Sequence, residues 1–218
     1  EACKYLDYPV VSGNVSFYNE TNEKSIKPTP TIGGIGLIKD IKKMINYEIK
    51  SPQSQLMIIG KTTGHLHQSI FFREIIGIKN GPPPEINLFN EKNNGNTLLE
   101  LIEKKLVKSA HDVSHGGILV TITEMCIAGN IGAKIKIPKN LVNIYKYFLG
   151  EDQSRYVIEI DKKDVNEINS ILDKNGVFGE IIADTQNNNL ELGKEFVISV
   201  SDLDKIYSNW FEKYLGAN

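Results

Sequence analysis

Arginine is nearly absent from this chain: of 25 basic residues only Arg73 and Arg155 are arginine. Bidentate guanidinium clamps on phosphate or carboxylate are therefore scarce, and anion binding must come from backbone amides, lysines or a metal. Cysteine is scarce too. Cys3 and Cys126 cannot build a disulfide framework, and nothing in their spacing pairs them as a metal site. That usage suits a reducing compartment, so a cytoplasmic location is expected. No charge of one sign dominates: 25 Lys plus Arg against 27 Asp plus Glu leaves a net charge of -2. The balance gives no general attraction for nucleic acid or for a membrane surface. No apolar run approaches the length of a membrane span, and no charged-then-apolar signal opens the chain.

What is present is an ordinary globular composition. The chain has 218 residues, 40% of them hydrophobic and 24% charged, enough for one large domain or one and a half of average size. Its opening, Glu1 to Leu6, reads as the tail of a helix running into a strand, and suggests a piece of something longer. Residues 9–13 and 32–38 read as short buried strands around a polar stretch. Periodicity fades at 47–52, the expected boundary, and Gln55–Gly60 starts a new strand.

Strands and helices then alternate. Thr97 with Glu100 makes a capping box for a helix carrying Leu98, Leu101, Ile102 and Leu106. Ile118, Leu119, Ile122, Met125 and Cys126 share one helical face, closed by Gly129-Asn130. Further strands are expected at 131–137, 155–160, 177–183 and 196–200, with a turn at Asn187 to Asn189. Helices are expected at 141–149 and after Asp164, the latter ended by Gly176. A last helix lines up Leu203, Ile206, Tyr207, Trp210 and Phe211 on one face. The class is α/β or α+β with a mixed sheet.

Several segments carry possible chemistry. Ile59-Gly60-Lys61-Thr62 lacks the glycine that a phosphate loop requires five positions before Gly60, so it reads as a strand-end turn. Gly33-Gly34-Ile35-Gly36 lacks dinucleotide spacing and reads as close backbone packing. His111 and His115 are four apart, but Gly116 and Gly117 keep them from sharing a helix face, which disfavours zinc. Ala110 to Gly117 reads better as a strand end feeding a helix N-terminus. Ser114 is the expected cap, and the free amides there either attract an anion or simply make a tight turn. Ser12 to Glu20 is dense in Asn, Ser and Glu oxygens beside an apolar stretch, a composition suited to Mg²⁺ or to sugar hydroxyls as well as to a turn.

Taken together, Tyr8-Pro9-Val10-Val11-Ser12-Gly13-Asn14-Val15-Ser16-Phe17-Tyr18-Asn19-Glu20-Thr21 and Pro28-Thr29-Pro30 resemble the signature of the phosphoribosylformylglycinamidine synthase large-subunit family. Ser109 to Leu119 and Phe148 to Tyr156 are similar to two further segments of that family, in the same order. The resemblance implies a C-terminal-like domain of the aminoimidazole ribonucleotide synthetase superfamily at 53–218. Before it would stand the C-terminal part of the second N-terminal-like, ATP- and Mg²⁺-binding domain, at 1–52. It implies ATP-dependent conversion of formylglycinamide ribonucleotide to formylglycinamidine ribonucleotide, with ammonia from glutamine, in purine biosynthesis. By motif position Gly13 is implied to contact ATP, Asn14 to ligate Mg²⁺ and Ser16 to bind the ribonucleotide.

The family's catalytic histidine and Mg²⁺-binding aspartates belong to a first half that this sequence does not contain, so no catalytic residue is assigned. The implied partners are that N-terminal half, a glutaminase subunit or fused glutaminase domain, and a small bridging subunit. A fragment of this kind is expected to be inactive alone. The competing reading is a non-catalytic scaffold that packs against the catalytic half. Aminoimidazole ribonucleotide synthetase itself, or a selenophosphate synthetase, is disfavoured by the Ser12 to Thr21 string. An Asp152–Arg155 pair is expected to stabilise its own turn.

Overall fold

The computed structural model describes residues 1–15, 18–26 and 29–216, and the chain divides into two units, Glu1–Met44 and Ile45–Asn218. The first holds a short helix α1 (Ala2–Tyr5) and a small antiparallel ladder of β1 (Glu20–Thr21) with β2 (Lys24–Ser25). Asn22 and Glu23 close that ladder with positive φ at both positions, the geometry that matches the strand twist. Among its described residues none is buried, and Val11, Ile35 and Leu37 are at least 90% exposed.

The two buried strands expected at 9–13 and 32–38 are therefore corrected to exposed chain with no ladder partner among the described residues. An apolar run favours extended backbone, but a strand forms only where a neighbouring ladder satisfies its amides. Close packing in the glycine cluster holds at Gly34 alone. A Cβ there would fall 1.8 Å from the Tyr8 hydroxyl, whereas Gly33 and Gly36 face open space.

The second unit is a seven-stranded mixed sheet between two layers of helices. In chain order it contains β3 (Gln55–Ile59), a π-helical turn (Phe71–Ile76), α2 (Leu88–Glu103), β4 (Ser109–Asp112), α3 (Gly117–Gly129) and β5 (Gly132–Ile135). There follow α4 (Ile144–Leu149), β6 (Tyr156–Ile160), α5 (Val165–Asn175), β7 (Gly179–Gln186), β8 (Asn189–Leu192), β9 (Phe196–Ser199) and α6 (Val200–Tyr214). The sheet order is β4-β6-β3-β7-β5-β8-β9, with every neighbouring pair antiparallel except β5 and β8.

Alternation along β3 divides the core. Leu56 and Ile58 pack on one face against Ile118, Ile122, Met125 and Cys126 of α3 and Phe148 of α4. Met57 and Ile59 pack on the other against Leu98 and Leu101 of α2 and Ile168, Ile171 and Leu172 of α5. Of the α3 stripe expected from sequence, Ile118, Ile122, Met125 and Cys126 are wholly buried and Leu119 is half-buried, each buried side chain contributing about 1.5–3 kcal/mol by leaving water. Burial also pushes the Cys126 thiol up to about 12, so it packs as an apolar group.

Helix ends differ from the sequence reading in two places. α2 starts at Leu88, where the Asn87 side chain accepts from the Asn90 amide at 3.0 Å, so Thr97 and Glu100 lie inside the helix. Asp164 precedes α5 without a side-chain cap bond, although Gly176 ends it in the left-handed region (φ 64°) as expected. β8 went unpredicted because it is a short strand held between two neighbours. The second unit also reaches back before residue 53: Ile49 is buried in the α3-side core, and its amide donates to the Met125 carbonyl.

Candidate functional site

Of the residues singled out in the first segment, Gly13 and Asn14 lie in exposed chain of the first unit, and Ser16 falls outside the described residues. A Cβ on Gly13 would meet no atom within 4 Å. Asn14 offers one neutral amide oxygen. Among the described residues no group of three His, Cys, Asp or Glu side chains is placed to hold a metal ion. These residues alone do not build a magnesium site, because a hard dication takes about six oxygens, usually with carboxylates among them.

The other two segments do converge. Ile59 at the end of β3 and Asp112 at the end of β4 both lie opposite Tyr156 at the start of β6. The loop after β3, the turn after β4 and the 150–155 turn therefore meet at one edge of the sheet. Arg155 is 2% exposed, and its side chain ties the loop after β3 to the 150–155 turn. Its Nη2 donates to the Gly150 carbonyl at 2.7 Å, Nε to the Asp152 carbonyl at 3.2 Å and Nη1 to the Thr62 hydroxyl at 3.0 Å. Nη1 also stands 3.5 Å from the Asp152 carboxylate, the expected pair. Burial draws the guanidinium pKa downward, and the Asp152, Tyr147 and Glu151 charges oppose that.

Asp152 and Glu151 serve two neighbours. Asp152 accepts from the Thr63 hydroxyl and from the amides of Thr63, Gly64 and His65. Burial raises its pKa, but the Thr63 hydroxyl, the His65 amide, the Arg155 charge and the Gly64 amide outweigh it and leave the carboxyl below its ordinary value. A depressed carboxyl stabilises the fold above its unfolded pKa of about 4, and that contribution is lost as pH falls through the folded value. The stability gap between the chain and Asp152→Asn is thus expected to be constant from neutral pH to about pH 5 and to narrow below pH 4. Urea unfolding across that range measures it, and a gap independent of pH would refute the assignment.

Glu151 corrects the expected helix cap. Its Oε1 accepts from the Gly116 and Ile70 amides, both at 2.8 Å, so the anion at the entrance of α3 is the protein's own. Ser114 contributes its carbonyl to the Gly117 amide, and Gly116 is the cap residue. Gly117 has φ +67°, and a Cβ there would fall 2.6 Å from the Gly150 carbonyl, which is why the turns approach so closely. The tight-turn reading of this segment holds.

Two clefts flank the turn and share Asp112, Ser114 and His115. One, of about 370 Å³, runs over Glu151, Arg155 and Tyr156. The other, of about 380 Å³, is walled by Tyr47, His111, Glu124 and Tyr207. His111 sits on β4 and His115 in the turn, so no helix face joins them. The His111 ring lies 3.2 Å from Asp112 and 3.1 Å from Glu124 and packs 4.9 Å from Tyr47. Sequence reasoning missed Glu151, Tyr47 and the buried Glu159. For Glu159 a signal existed, a carboxylate inside the apolar strand Tyr156-Val157-Ile158-Glu159-Ile160.

A mixed sheet between helix layers, with a glycine-pair helix entrance at one edge, defines the class. The chain belongs to the AIR synthase related protein family, C-terminal domain, which matches residues 53–192. Along nearly its whole length it is also similar to PurL. It is 51% identical over 215 residues to the phosphoribosylformylglycinamidine synthase subunit PurL of Pelagibacter ubique (strain HTCC1062), a match covering 99% of this chain and 30% of that relative. Among solved structures, Thermotoga maritima PurL complexed with FGAR superposes with a TM-score of 0.65 at 22% identity, covering 75% of this chain and 30% of that one. The same protein complexed with ATP gives 0.59 at 20%, covering 75% and 28%. At such identities the likeness is one of fold. The chain spans about 30% of the length of the curated relatives it matches. No helix among the described residues is long and apolar enough to cross a membrane.

Proposed function

We propose that this chain supplies part of a phosphoribosylformylglycinamidine synthase, an ATP-dependent carbon–nitrogen ligase of cytoplasmic purine biosynthesis. The observation that carries the reading is the 51% identity to a PurL subunit over 99% of the chain. In this reading residues 1–52 are the C-terminal part of an N-terminal-like domain and 53–218 a C-terminal-like domain, inactive without the remainder. ATP phosphorylates the amide oxygen of formylglycinamide ribonucleotide, and ammonia from a glutaminase partner, joined through a bridging subunit, displaces the phosphate. Gly13 lets ATP approach the backbone, Asn14 adds one oxygen to a Mg²⁺ whose other ligands lie elsewhere, and Ser16 binds the ribonucleotide.

The experiment mixes the chain with a separately made N-terminal half of a PurL relative. ADP release dependent on formylglycinamide ribonucleotide and ammonium is then followed. Activity is expected only in the mixture, and Asn14→Ala is expected to lower it by at least about tenfold, the loss of one positioned polar contact. Full activity with Asn14→Ala would remove Asn14 from the site.

A scaffold role is the second reading. It is favoured by the internal hydrogen bonding of Glu151, Asp152 and Arg155, which leaves the conspicuous polar turn holding loops together. Associated halves with no turnover would support it.

A further inference from the structure

Asparagine is followed by glycine at three places in the chain: Asn80-Gly81, Asn94-Gly95 and Asn175-Gly176. At such a step the glycine nitrogen can attack the carboxamide of the preceding side chain, because no β-carbon on the glycine blocks the approach. The attack needs an amide nitrogen outside any hydrogen bond and a side chain free to rotate onto it. The fold supplies both at one step of the three.

Asn94 is buried within α2, where its Nδ2 donates to the Ser154 carbonyl at 2.8 Å and the helix ladder holds the Gly95 amide. Asn175 is the last residue of α5. Its Nδ2 donates to the Glu100 carboxylate at 3.0 Å, and the Gly176 amide closes the helix on the Asp173 and Leu172 carbonyls. Asn80 differs. It is exposed, between the π-helical turn and α2, outside any helix or strand. Among the described residues no hydrogen bond engages its side chain or the Gly81 amide.

The fold also keeps glycine in place after Asn80. Gly81 has φ +125°, and a Cβ there would fall 2.4 Å from His67 Nδ1. Its carbonyl accepts from Gln68 Nε2 at 2.8 Å, and the Pro82 carbonyl lies 3.1 Å from His65 Nε2. Pro82, Pro83 and Pro84 carry no amide donor, so these side chains are what anchor the segment. Pro84 lines the cleft of about 370 Å³ over Arg155 and a third cleft of about 430 Å³ beside it. The reactive step therefore sits at the border of the polar turn.

We propose that Asn80 is a site of spontaneous modification in the folded protein, where asparagine is converted to isoaspartate and aspartate. The Gly81 nitrogen bonds to Asn80 Cγ, the Cγ–Nδ2 bond breaks, and ammonia leaves with the amide proton. Water then opens the succinimide at either carbonyl, and nothing is oxidised or reduced. Both products add a negative charge. The isoaspartyl form also lengthens the main chain by a methylene group, immediately before the two carbonyls that Gln68 and His65 hold.

The chain is kept at neutral pH, folded and, in parallel, unfolded in urea. Its peptides are then mapped by mass for conversion of amide to acid. Isoaspartate is counted by methyl transfer from S-adenosylmethionine with an isoaspartyl methyltransferase. In the folded protein Asn80 is expected to react at least about tenfold faster than Asn94 or Asn175, each of which must first give up a side-chain and a backbone hydrogen bond. In urea the three steps are expected to react at comparable rates. Asn80→Ser is expected to abolish the folded-state signal with an unchanged circular dichroism spectrum, since the side chain is exposed and unpartnered. An Asn80 that stays intact in the folded protein while the unfolded chain reacts overturns the proposal. So does folded-state conversion at Asn94 or Asn175 as fast as at Asn80. None of these readouts involves ADP release, so they stand or fall apart from the functional reading.

Discussion

Arg155→Ala is expected to cost the second unit about 3–5 kcal/mol, because truncating one member of a buried pair strands the other. The side chain is fully enclosed, and the variant leaves the Thr62 hydroxyl and the Gly150 carbonyl without this donor and the Asp152 carboxylate without its counter-charge. At a urea dependence of 1–3 kcal/mol per molar, the unfolding midpoint should fall by roughly 2 M. Arg155→Lys is expected to recover less than half of this. An ammonium on a flexible stem cannot reach three acceptors spread across the planar fork. A loss under about 1 kcal/mol for Arg155→Ala would show that the loop after β3 and the 150–155 turn are held elsewhere, since that is the worth of one ordinary hydrogen bond.

Glu159→Ala should be nearly as damaging, with its effect concentrated at the entry of the unit. Glu159 is 0% exposed on β6. Its Oε2 accepts from the Lys50 amide at 2.7 Å and the Ser109 hydroxyl at 3.1 Å, and its Oε1 from the Ser51 amide at 3.0 Å. Each such bond to a charged acceptor contributes about 1.5–3 kcal/mol, and its loss leaves a donor unsatisfied beside the core. The expected loss is about 3–5 kcal/mol, with Glu159→Gln intermediate because one acceptor oxygen remains. Amide exchange should localise the effect. Residues 45–54 lose protection first, while β3 and α3 keep theirs until global unfolding. Uniform loss across the sheet would contradict a local clamp.

Both residues show how far the sequence could be read. Arg155 stood out as one of two arginines, and its pairing with Asp152 follows from a three-residue spacing. Its reach to Thr62 does not, because the loop after β3 is distant in sequence and arrives only through sheet pairing. Glu159 was visible as a polar residue in an apolar strand. That its partners are the amides of Lys50 and Ser51 depends on where the chain enters the unit. Glu151 is the sharper case: the sequence offers an anion seat at Gly116-Gly117, and folding fills it with a carboxylate from another turn.

The sequence by itself determined the class of fold, the two faces of β3, the buried stripe of α3 and the glycine ends of helices, all set by residues within a few positions of each other. It also carried the family resemblance, in strings of residue types that need no coordinates to be compared. Tertiary structure decided which apolar runs became strands. Residues 9–13 and 32–38 have the composition of strands but no ladder partner among the described residues, whereas β8, a four-residue strand the pattern missed, forms between β5 and β9. Tertiary structure also decided what the polar turn does, since hydrogen-bond partners across the sheet edge are set by pairing register and not by local pattern. The stripe on α6 divides the same way: its periodicity is in the sequence, and only the fold shows that nothing in the core receives it.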